Sequence, residues 1–361
     1  MKYLLIDANN LAVRCAFANA ELRTSDGTPS GVHYGMFNSL ISLNKKFADY
    51  QFLMVWDSKS KRRMDESLDG VSKMIIPEAY KANRKKDEQP QPLKDFYLQS
   101  NALRRGLGTT GIPQIVIDGY EADDVIAAYC TLLKKDHEIV AVTSDRDYYQ
   151  ILDNNVTLYD GMKPADATPG SPMGKFTTKE QFIQDTGLQP FQHIDVGAMM
   201  GDDGDNIFGV PGWGPKTAVK EIQKFGSWQK LIAAYAEQYA GFRQKYSDLL
   251  DANADLYSAF AELKAAKSEK DKLIYPEVEA SMPWAGVLLA MHRGDIKMPK
   301  TSIMALMFQN RIALAYSLKK MDSDIPNLPE IKQEPADLAK LEEYFNYFEI
   351  KSLIDNIQIF S

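Results

Sequence analysis

Cysteine is scarce in this chain: its 361 residues hold two, Cys15 and Cys130, far apart and outside any Cys-x-x-Cys spacing. That excludes a disulfide framework and a structural zinc site, and it fits a reducing, cytoplasmic setting. Long apolar runs are missing too. The opening MKYLLIDANN carries only a short run before Asp7, too brief for a signal-peptide core or a membrane span, so no targeting segment and no membrane partner are expected. Histidine is also rare, and His33, His137, His193 and His292 are dispersed, which points to structural or surface roles and away from a nitrogen-based metal site. Finally, an excess of positive charge is lacking: the net charge is −7 and the pI near 5.3, an unfavourable balance for a protein that grips phosphates.

What is present starts with a globular composition, 45% hydrophobic and 25% charged, at a length that suits two domains or one with a large extension. Apolar runs at 2–7, 52–56, 138–144 and 114–118 read as buried strands. Helical patterns at about 33–48, 93–105 and 121–134 lie between them. Such alternation predicts an α/β fold: a central, mostly parallel sheet flanked by helices, filling residues 1–200 as the catalytic domain. From 227 the pattern is helical, including a long amphipathic stretch at 233–267, so 201–361 is expected to be a hairpin region followed by a helical C-terminal part. Pro326, Pro329 and Pro335 mark a linker before an aromatic last segment, which either docks on the body as core or is offered to a partner.

In parallel sheets ligands gather at the carboxyl ends of the strands. Asp7 and Asp57 close the first two runs, Glu121 follows the 114–118 run, and Asp145 and Asp147 follow the 138–144 run. Any one of these acids could simply cap the next helix. Together they are harder to explain that way. Glu121, Asp123 and Asp124 crowd into four residues, and Asp202 and Asp205 add two more in Gly-Asp-Asp-Gly-Asp-Asn206. Nine acids of like charge repel unless a cation joins them, and an all-oxygen set selects Mg²⁺, with Mn²⁺ as substitute, some of it through water. With those nine set aside, 42 basic residues face 40 acidic ones, so the overall charge misleads about a binding surface. Basic residues bunch at Lys59, Lys61, Arg62 and Arg63 and at Lys81, Arg84, Lys85 and Lys86, a pattern that would equally suit a solvated charged loop.

A glycine-rich hairpin, Asp205 to Ala218, runs into a helix that begins near Pro215. Gly212, Gly214, Lys216 and Thr217 there suit backbone contact with phosphate, and they would equally suit a plain helix hairpin. Two other glycine patterns carry no nucleotide site. Gly106-x-Gly-x-x-Gly111 matches a dinucleotide fingerprint but follows a helix and precedes a strand, and Gly214-Pro-Lys-Thr217 lacks the spacing of a P-loop.

Taken in order, LLIDANNLAVR, VWDSK, AYKANR, GYEADDV, TSDRDYYQIL and GDDGDNIFGVPGWGPKTA resemble the 5′-to-3′ exonuclease and flap endonuclease family over about residues 1–235. This family includes the nuclease domain of bacterial DNA polymerase I and stand-alone phage enzymes. The resemblance implies a PIN-like fold and a structure-specific 5′ nuclease that cuts DNA, or RNA-primed DNA, to 5′-phosphate and 3′-hydroxyl ends. By the same resemblance Asp7, Asp57, Glu121, Asp123, Asp124, Asp145, Asp147, Asp202 and Asp205 hold two or more Mg²⁺, with Asp7 and Asp145 central to catalysis. Lys81 and Arg84 contact the scissile phosphate, and Tyr80 stacks on a terminal base. Residues 58–95, including Arg62, Arg63 and Lys85, form an arch or clamp for single-stranded 5′ ends, though the stretch between Asp57 and Lys81 is longer than in the polymerase-linked members. The hairpin at 201–226 is a helix-hairpin-helix that binds duplex backbone and a K⁺ ion. The implied partners are DNA with 5′ flaps or ends, RNA–DNA hybrids, and a replication protein such as a single-strand binding protein at the C-terminal region; a monomer is expected. Competing readings are an inactive structure-specific DNA-binding module, a haloacid-dehalogenase-type phosphatase, whose Asp-x-Asp is broken by Asn9, and a PIN-class ribonuclease, which lacks the hairpin and AYKANR.

Overall fold

The computed structural model describes residues 1–166, 168, 171–241 and 299–361. His292 and most of the amphipathic stretch at 233–267 lie outside these residues. The described chain divides into two compact units, one of Met1–Lys61, Arg84–Asp185 and Met321–Ser361, the other of Arg62–Asn83 and Thr186–Lys320.

The first unit is built on a six-stranded sheet. Its order is β3 (Gln114–Ile115), β2 (Gln51–Val55), β1 (Lys2–Asp7), β4 (Glu138–Val142), β5 (Val156–Pro164) and β6 (Met173–Thr177). All neighbours run parallel except the β5–β6 pair, as the α/β reading requires. Tyr3 to Asp7 pair with Gln51 to Val55 on one side, and Lys2 to Ile6 with Glu138 to Val142 on the other. This register brings the carboxyl ends of β1, β2 and β4 to the same edge of the sheet. Leu4, Leu5, Ile6, Leu53, Met54 and Val55 are fully buried, because parallel strands are covered on both faces and need apolar residues at consecutive positions.

Helices α1 (Ala8–Ala18), α2 (Gly31–Lys46), α4 (Gln91–Gly108) and α5 (Ala122–Leu133) cover the sheet. The last segment belongs to this unit as well. Helix α12 (Leu338–Tyr347) and the 3₁₀ segment Lys351–Phe360 place Leu341, Phe345, Phe348, Ile350, Leu353, Ile357 and Phe360 in the core with residues of α2 and α4. The expected boundary at residue 200 therefore differs from the observed division: residues 186–200 join the second unit, and 321–361 return to the first because their aromatic face has its complement there.

The glycines of the false dinucleotide fingerprint serve this return. A Cβ on Gly106 would lie 2.2 Å from Tyr344 Cζ, and one on Gly111, whose φ is +73°, would lie 1.9 Å from the Glu334 carbonyl oxygen. Glu334 N–H donates to Gly111 O at 2.9 Å and Asp337 N–H to Thr109 O at 2.8 Å, so the missing side chains let two backbones meet.

Helix α6 (Lys179–Thr186) belongs to the first unit except for Thr186; the second unit combines α3 (Lys61–Ser72), whose first residue belongs to the other unit, with α7 (His193–Met200). It continues through the two-stranded β7 (Gly201–Asp202) and β8 (Ile207–Phe208), then α8 (Pro215–Phe225), α9 (Trp228–Gln238), α10 (Lys300–Met307) and α11 (Gln309–Lys319). Helix α7, the β7–β8 hairpin and α8 follow one another as a helix, a hairpin and a helix. No helix of the described residues is long and apolar enough to cross a membrane.

Candidate active site

At the carboxyl edge of the sheet, Asp7 ends β1 and caps α1. Its Oδ1 accepts Asn10 N–H at 3.0 Å and its Oδ2 accepts the Tyr148 hydroxyl at 3.0 Å. Burial pushes the Asp7 carboxyl well above the usual range, and the charges of Asp57 and Asp145 push the same way, against the donated Asn10 and Tyr148 hydrogen bonds. Tyr148, itself fully buried, is raised by burial and then by Asp7, Asp123, Asp145 and Asp57. Four carboxylates thus act on Tyr148, and two of them on Asp7, at this edge.

Their neighbours explain how they are held. Asp57 follows β2; its N–H donates to Asn9 Oδ1 at 3.0 Å and its Oδ1 accepts Ala122 N–H at the start of α5, at 2.9 Å. Asn10 Oδ1 takes the Ser144 N–H and hydroxyl at 3.1 and 3.0 Å, which ties the loop after β4 to the loop after β1. Asp145 caps the 3₁₀ segment Arg146–Ile151 through Asp147 N–H at 2.8 Å. At α5, Asp124 is 1% exposed, and its two oxygens take Glu121 N–H at 3.2 Å and Asp322 N–H at 2.7 Å. Asp123 Oδ1 takes Asp124 N–H at 2.8 Å. Cap and cluster are thus both present: each acid holds local backbone, and Asp57 and Asp145 remain exposed, with Glu121, Asp123 and Asp147 half-buried.

Among the described residues no three of His, Cys, Asp or Glu stand ready to hold one metal ion. The oxygens turn to N–H and O–H donors, and like charges keep apart. Yet a wholly carboxylate donor set, with one buried member whose charge is disfavoured without a cation, has the chemistry of a hard divalent ion held largely through water.

The remaining acids of the nine, Asp202 and Asp205, lie on the second unit. Asp202 Oδ1 accepts Gly204 N–H at 2.9 Å and Oδ2 meets Lys319 Nζ at 3.0 Å. Burial raises the Asp202 carboxyl, but the Lys319 ammonium and the backbone donors outweigh it and hold it below the usual carboxylate range. The AYKAN stretch is laced onto the loop at 203–206. Lys81 N–H donates to Asp205 O at 2.8 Å, Asn206 Nδ2 to Ala79 O at 2.8 Å, and Asn83 Nδ2 to Asp203 O at 2.6 Å. Lys81 takes a left-handed φ of +56° and sets its Nζ 4.7 Å from the centre of the Tyr80 ring.

Three expectations need correction. Tyr80 is 4% exposed and donates its hydroxyl to Asp205 Oδ2 at 3.1 Å, so its ring is packed inside and is no platform for a base. Arg63 is 2% exposed, with its stem inside the unit. Arg62 donates to the Ser317 and Lys320 carbonyls, each at 2.7 Å, and pairs with Glu66, so neither arginine lines an open clamp. They lie on α3, an amphipathic helix, where Arg62 finds its acceptors at the end of α11 and Arg63 is buried.

Arg84 is exposed, and Lys85 is exposed and pairs with Glu88 at 3.1 Å. In the hairpin region Gly212 has φ +79°, Gly212 and Gly214 have open space where a Cβ would stand, and Gly214 precedes α8 without a side-chain cap. Lys216 is exposed and Thr217 half-buried on the first turn. Missed from sequence were Tyr148, Asn9, Asn10 and Lys319. The two asparagines that follow Asp7 and Ala8 were a usable signal, since short amides beside a strand end commonly brace neighbouring loops.

Comparison with known proteins gives the family and the fold. The model of the 5′-3′ exonuclease N-terminal resolvase-like domain matches residues 2–186, and that of the 5′-3′ exonuclease C-terminal SAM fold matches 188–273, part of which lies outside the described residues. The thermostable DNA polymerase I of Thermus thermophilus is 33% identical over 232 residues, 64% of this chain and 25% of that protein. The chain therefore spans about a quarter of the length of that polymerase relative. The 5′-3′ exonuclease of Aquifex aeolicus is 31% identical over 229 residues, 63% of this chain and 71% of that one. Among solved structures, T5 5′-exonuclease with bound divalent metal ions (zinc) shares the fold at a TM-score of 0.50 and 20% identity, over 87% of this chain and all of that one. The catalytic core of Rad2 in complex with DNA substrate does so at 0.50 and 17%, over 99% and 91%. With its N-terminal match spanning more than half the chain and its sheet edge carrying the acids, this protein belongs to the 5′-3′ exonuclease family.

Proposed function

We propose that the protein is a structure-specific 5′ nuclease, both 5′-3′ exonuclease and flap endonuclease, that hydrolyses DNA phosphodiesters with the help of Mg²⁺ or Mn²⁺. The observation that carries this reading is Asp7, buried at the end of β1 with its carboxyl pushed up by burial and by Asp57 and Asp145. Asp7, Asp57, Glu121, Asp123, Asp145 and Asp147 would hold divalent ions, which supply charge neutralisation at the phosphate and favour deprotonation of the attacking water. Tyr148 orients Asp7 by its hydroxyl, and Asn9 and Asn10 keep the loops after β1, β2 and β4 in register. Asp124 acts differently from its neighbours: with both oxygens given to backbone, it positions Glu121 and the chain at 322. Lys81 and Arg84 neutralise charge on the phosphoryl group as the bond breaks, leaving 5′-phosphate and 3′-hydroxyl ends.

Duplex backbone is gripped at the hairpin, where Gly212 and Gly214 allow close approach and Lys216 and Thr217 open α8; a K⁺ ion belongs to the same grip. Asp202 and Asp205 hold metal on the second unit. RNA–DNA hybrids are a second substrate. The substrate's 5′ single strand is admitted near 73–95, since 61–72 is helix α3 with packed arginines. We place the protein in the cytoplasm as a monomer. A replication protein binds the last segment through its exposed residues, such as Tyr347, since Leu341, Phe345, Phe348, Ile350, Leu353, Ile357 and Phe360 are core.

The test is a 5′-labelled flap DNA incubated with the protein in Mg²⁺, beside an EDTA control and Asp145→Asn. Metal-dependent release of short 5′ fragments, lost in the variant, is expected. Tight flap binding with no cleavage in any metal would favour the inactive DNA-binding module, a reading for which the structure offers no specific support.

A further inference from the structure

Helix α4 buries Phe96, Leu103 and Leu107 and leaves Asn101, Arg104 and Arg105 exposed, three polar residues at the spacing that shares one helix face. Arg104 is held in place. Its guanidinium carbon stands 5.5 Å from the centre of the Trp56 ring, which is 3% exposed. The Trp56 indole N–H donates to Gln114 Oε1 at 2.9 Å, and Gln114 Nε2 donates to the Arg104 carbonyl at 2.9 Å. Asn101, Arg104, Arg105 and Gln114 line a cleft of about 310 Å³ in the first unit. Among the described residues no carboxylate lines it and neither guanidinium forms an ion pair. The charge of Arg105 acts on the Tyr344 hydroxyl, which burial keeps neutral. Two adjacent cations in a concavity that supplies no anion suit one from outside, and the planar guanidinium fork matches phosphate oxygens.

We propose that this cleft holds a backbone phosphate of the substrate's 5′ single strand beyond the place where that strand is admitted. The inference rests on the function proposed above and extends it to Arg104 and Arg105. Helix α4 begins at Gln91, inside the stretch near 73–95 given to strand entry, and Arg104 follows about 20 Å farther along its axis. A stacked strand advances about 3.4 Å per nucleotide, so about six nucleotides separate entry from cleft. Flap length therefore decides whether the cleft is used. A single strand also bends into a concavity that a stiff duplex spans. The net charge of −7 does not oppose this, because screening confines each exposed charge to about a Debye length, ~10 Å at 0.1 M salt, and the local pair governs.

The experiment measures binding of the full-length chain to labelled DNA by fluorescence anisotropy in EDTA across NaCl concentrations. One duplex carries a 5′ flap of about ten nucleotides, the other a flap of a single nucleotide. The proteins are the parent, Arg104→Gln, Arg105→Gln, Arg104→Lys and the Arg104→Gln/Arg105→Gln double variant. On the long flap each arginine lost should flatten the plot of log affinity against log salt by about 0.7, and the pair by about 1.4. That is about fivefold in affinity per arginine at 0.1 M salt, converging on the parent toward 1 M. The single-nucleotide flap should keep the parent's slope in every variant, and Arg104→Lys, which retains the charge, should keep it on both DNAs. Parental slopes on the long flap in variants that melt within a few degrees of the parent overturn the inference. An equal loss on both DNAs overturns it too, since the phosphate would then belong to the duplex. If uncovering Trp56 unfolds Arg104→Gln, Arg105→Gln alone carries the test. Cleavage by the parent in Mg²⁺ is measured alongside: a parent that cuts flaps while its variants keep its slope overturns the inference alone. A parent that neither cuts nor binds flap DNA overturns the proposed function and the inference with it.

Discussion

The Tyr80 hydroxyl donates to Asp205 Oδ2 at 3.1 Å from a ring that is 4% exposed, joining two motifs that stand 125 positions apart. The contact turns an aromatic residue that reads as a base-stacking platform into a brace for a carboxylate. Around it, Lys81, Asn83 and Asn206 make backbone and amide bonds that fold AYKAN onto the loop at 203–206.

Two substitutions separate the brace from the platform. Tyr80→Phe keeps the ring and removes the donor; it should cost about 1 kcal/mol of stability and weaken Mn²⁺ binding several-fold, because Asp205 loses the hydroxyl that orients Oδ2. Tyr80→Ala should cost about 3–5 kcal/mol as a cavity. A stacking role predicts instead that Tyr80→Phe binds metal and cuts flaps like the parent. Thermal melts with metal titration decide.

Arg62 and Arg63 make a second pair of expectations. Arg62→Ala removes donors to two carbonyls and to Glu66, and should lower stability by about 1–3 kcal/mol while leaving cleavage per folded molecule, and the salt dependence of DNA binding, unchanged. An arginine that contacted phosphate would instead reduce the slope of log affinity against log salt by nearly one unit. Arg63→Met should cost stability with the same silence in DNA binding. The readouts are urea unfolding and flap affinity across NaCl concentrations.

Gly106 and Gly111 should be intolerant of the smallest side chain. A Cβ at Gly106 meets the ring of Tyr344 at 2.2 Å and one at Gly111 meets a carbonyl at 1.9 Å with a left-handed φ besides. Overpacking against a buried ring costs about 1–3 kcal/mol, and the backbone clash at Gly111 should cost more. Chemical denaturation of Gly106→Ala and Gly111→Ala measures both, and Gly106→Ala combined with Tyr344→Ala should lose less than the sum of the two, because the second change removes the clash.

Stability should also depend on pH through Asp195, whose carboxyl burial raises to about 6 despite the N–H that Trp228 donates at 2.9 Å. The folded protein therefore holds this proton more tightly than the unfolded chain. The contribution is fully present below about pH 4 and is lost as the pH rises through about 6. Asp195→Asn keeps the acceptor and removes the charge, so relative to the parent it should gain about 1–3 kcal/mol at pH 8 and little or nothing at pH 4. Melting temperatures of both proteins at the two pH values test the sign; an equal gain at both would refute it.

Some of this architecture was readable without coordinates. Continuous apolar runs such as KYLLID and EIVAV can only be strands covered on both faces, and their acids follow directly, since side chains at strand ends point where parallel sheets gather ligands. Strands β5 and β6 escaped because Asp160, Gly161 and Lys163 break the apolar run, and an irregularity in pairing between Asp160 and Pro164 breaks the alternation. Strand β3 was overextended, since only Gln114 and Ile115 of the apolar stretch find a partner in β2. Helix α1 went unread because it starts immediately after Asp7, inside the motif taken as a strand end.

Residue type, spacing and order along the chain determined the α/β class, the family and the acidic set at the sheet edge, because these rest on local periodicity and on motifs short enough to be read in place. Tertiary structure alone decided which use each side chain has. Nothing local tells that Gly106 awaits Tyr344, that Lys319 comes to rest on Asp202, or that Tyr80 turns inward to Asp205, for each of these pairs is separated by more than a hundred residues and exists only once burial has selected one partner among many. Charge and shape specify what a residue is able to do; packing specifies which of those capacities remain open to solvent.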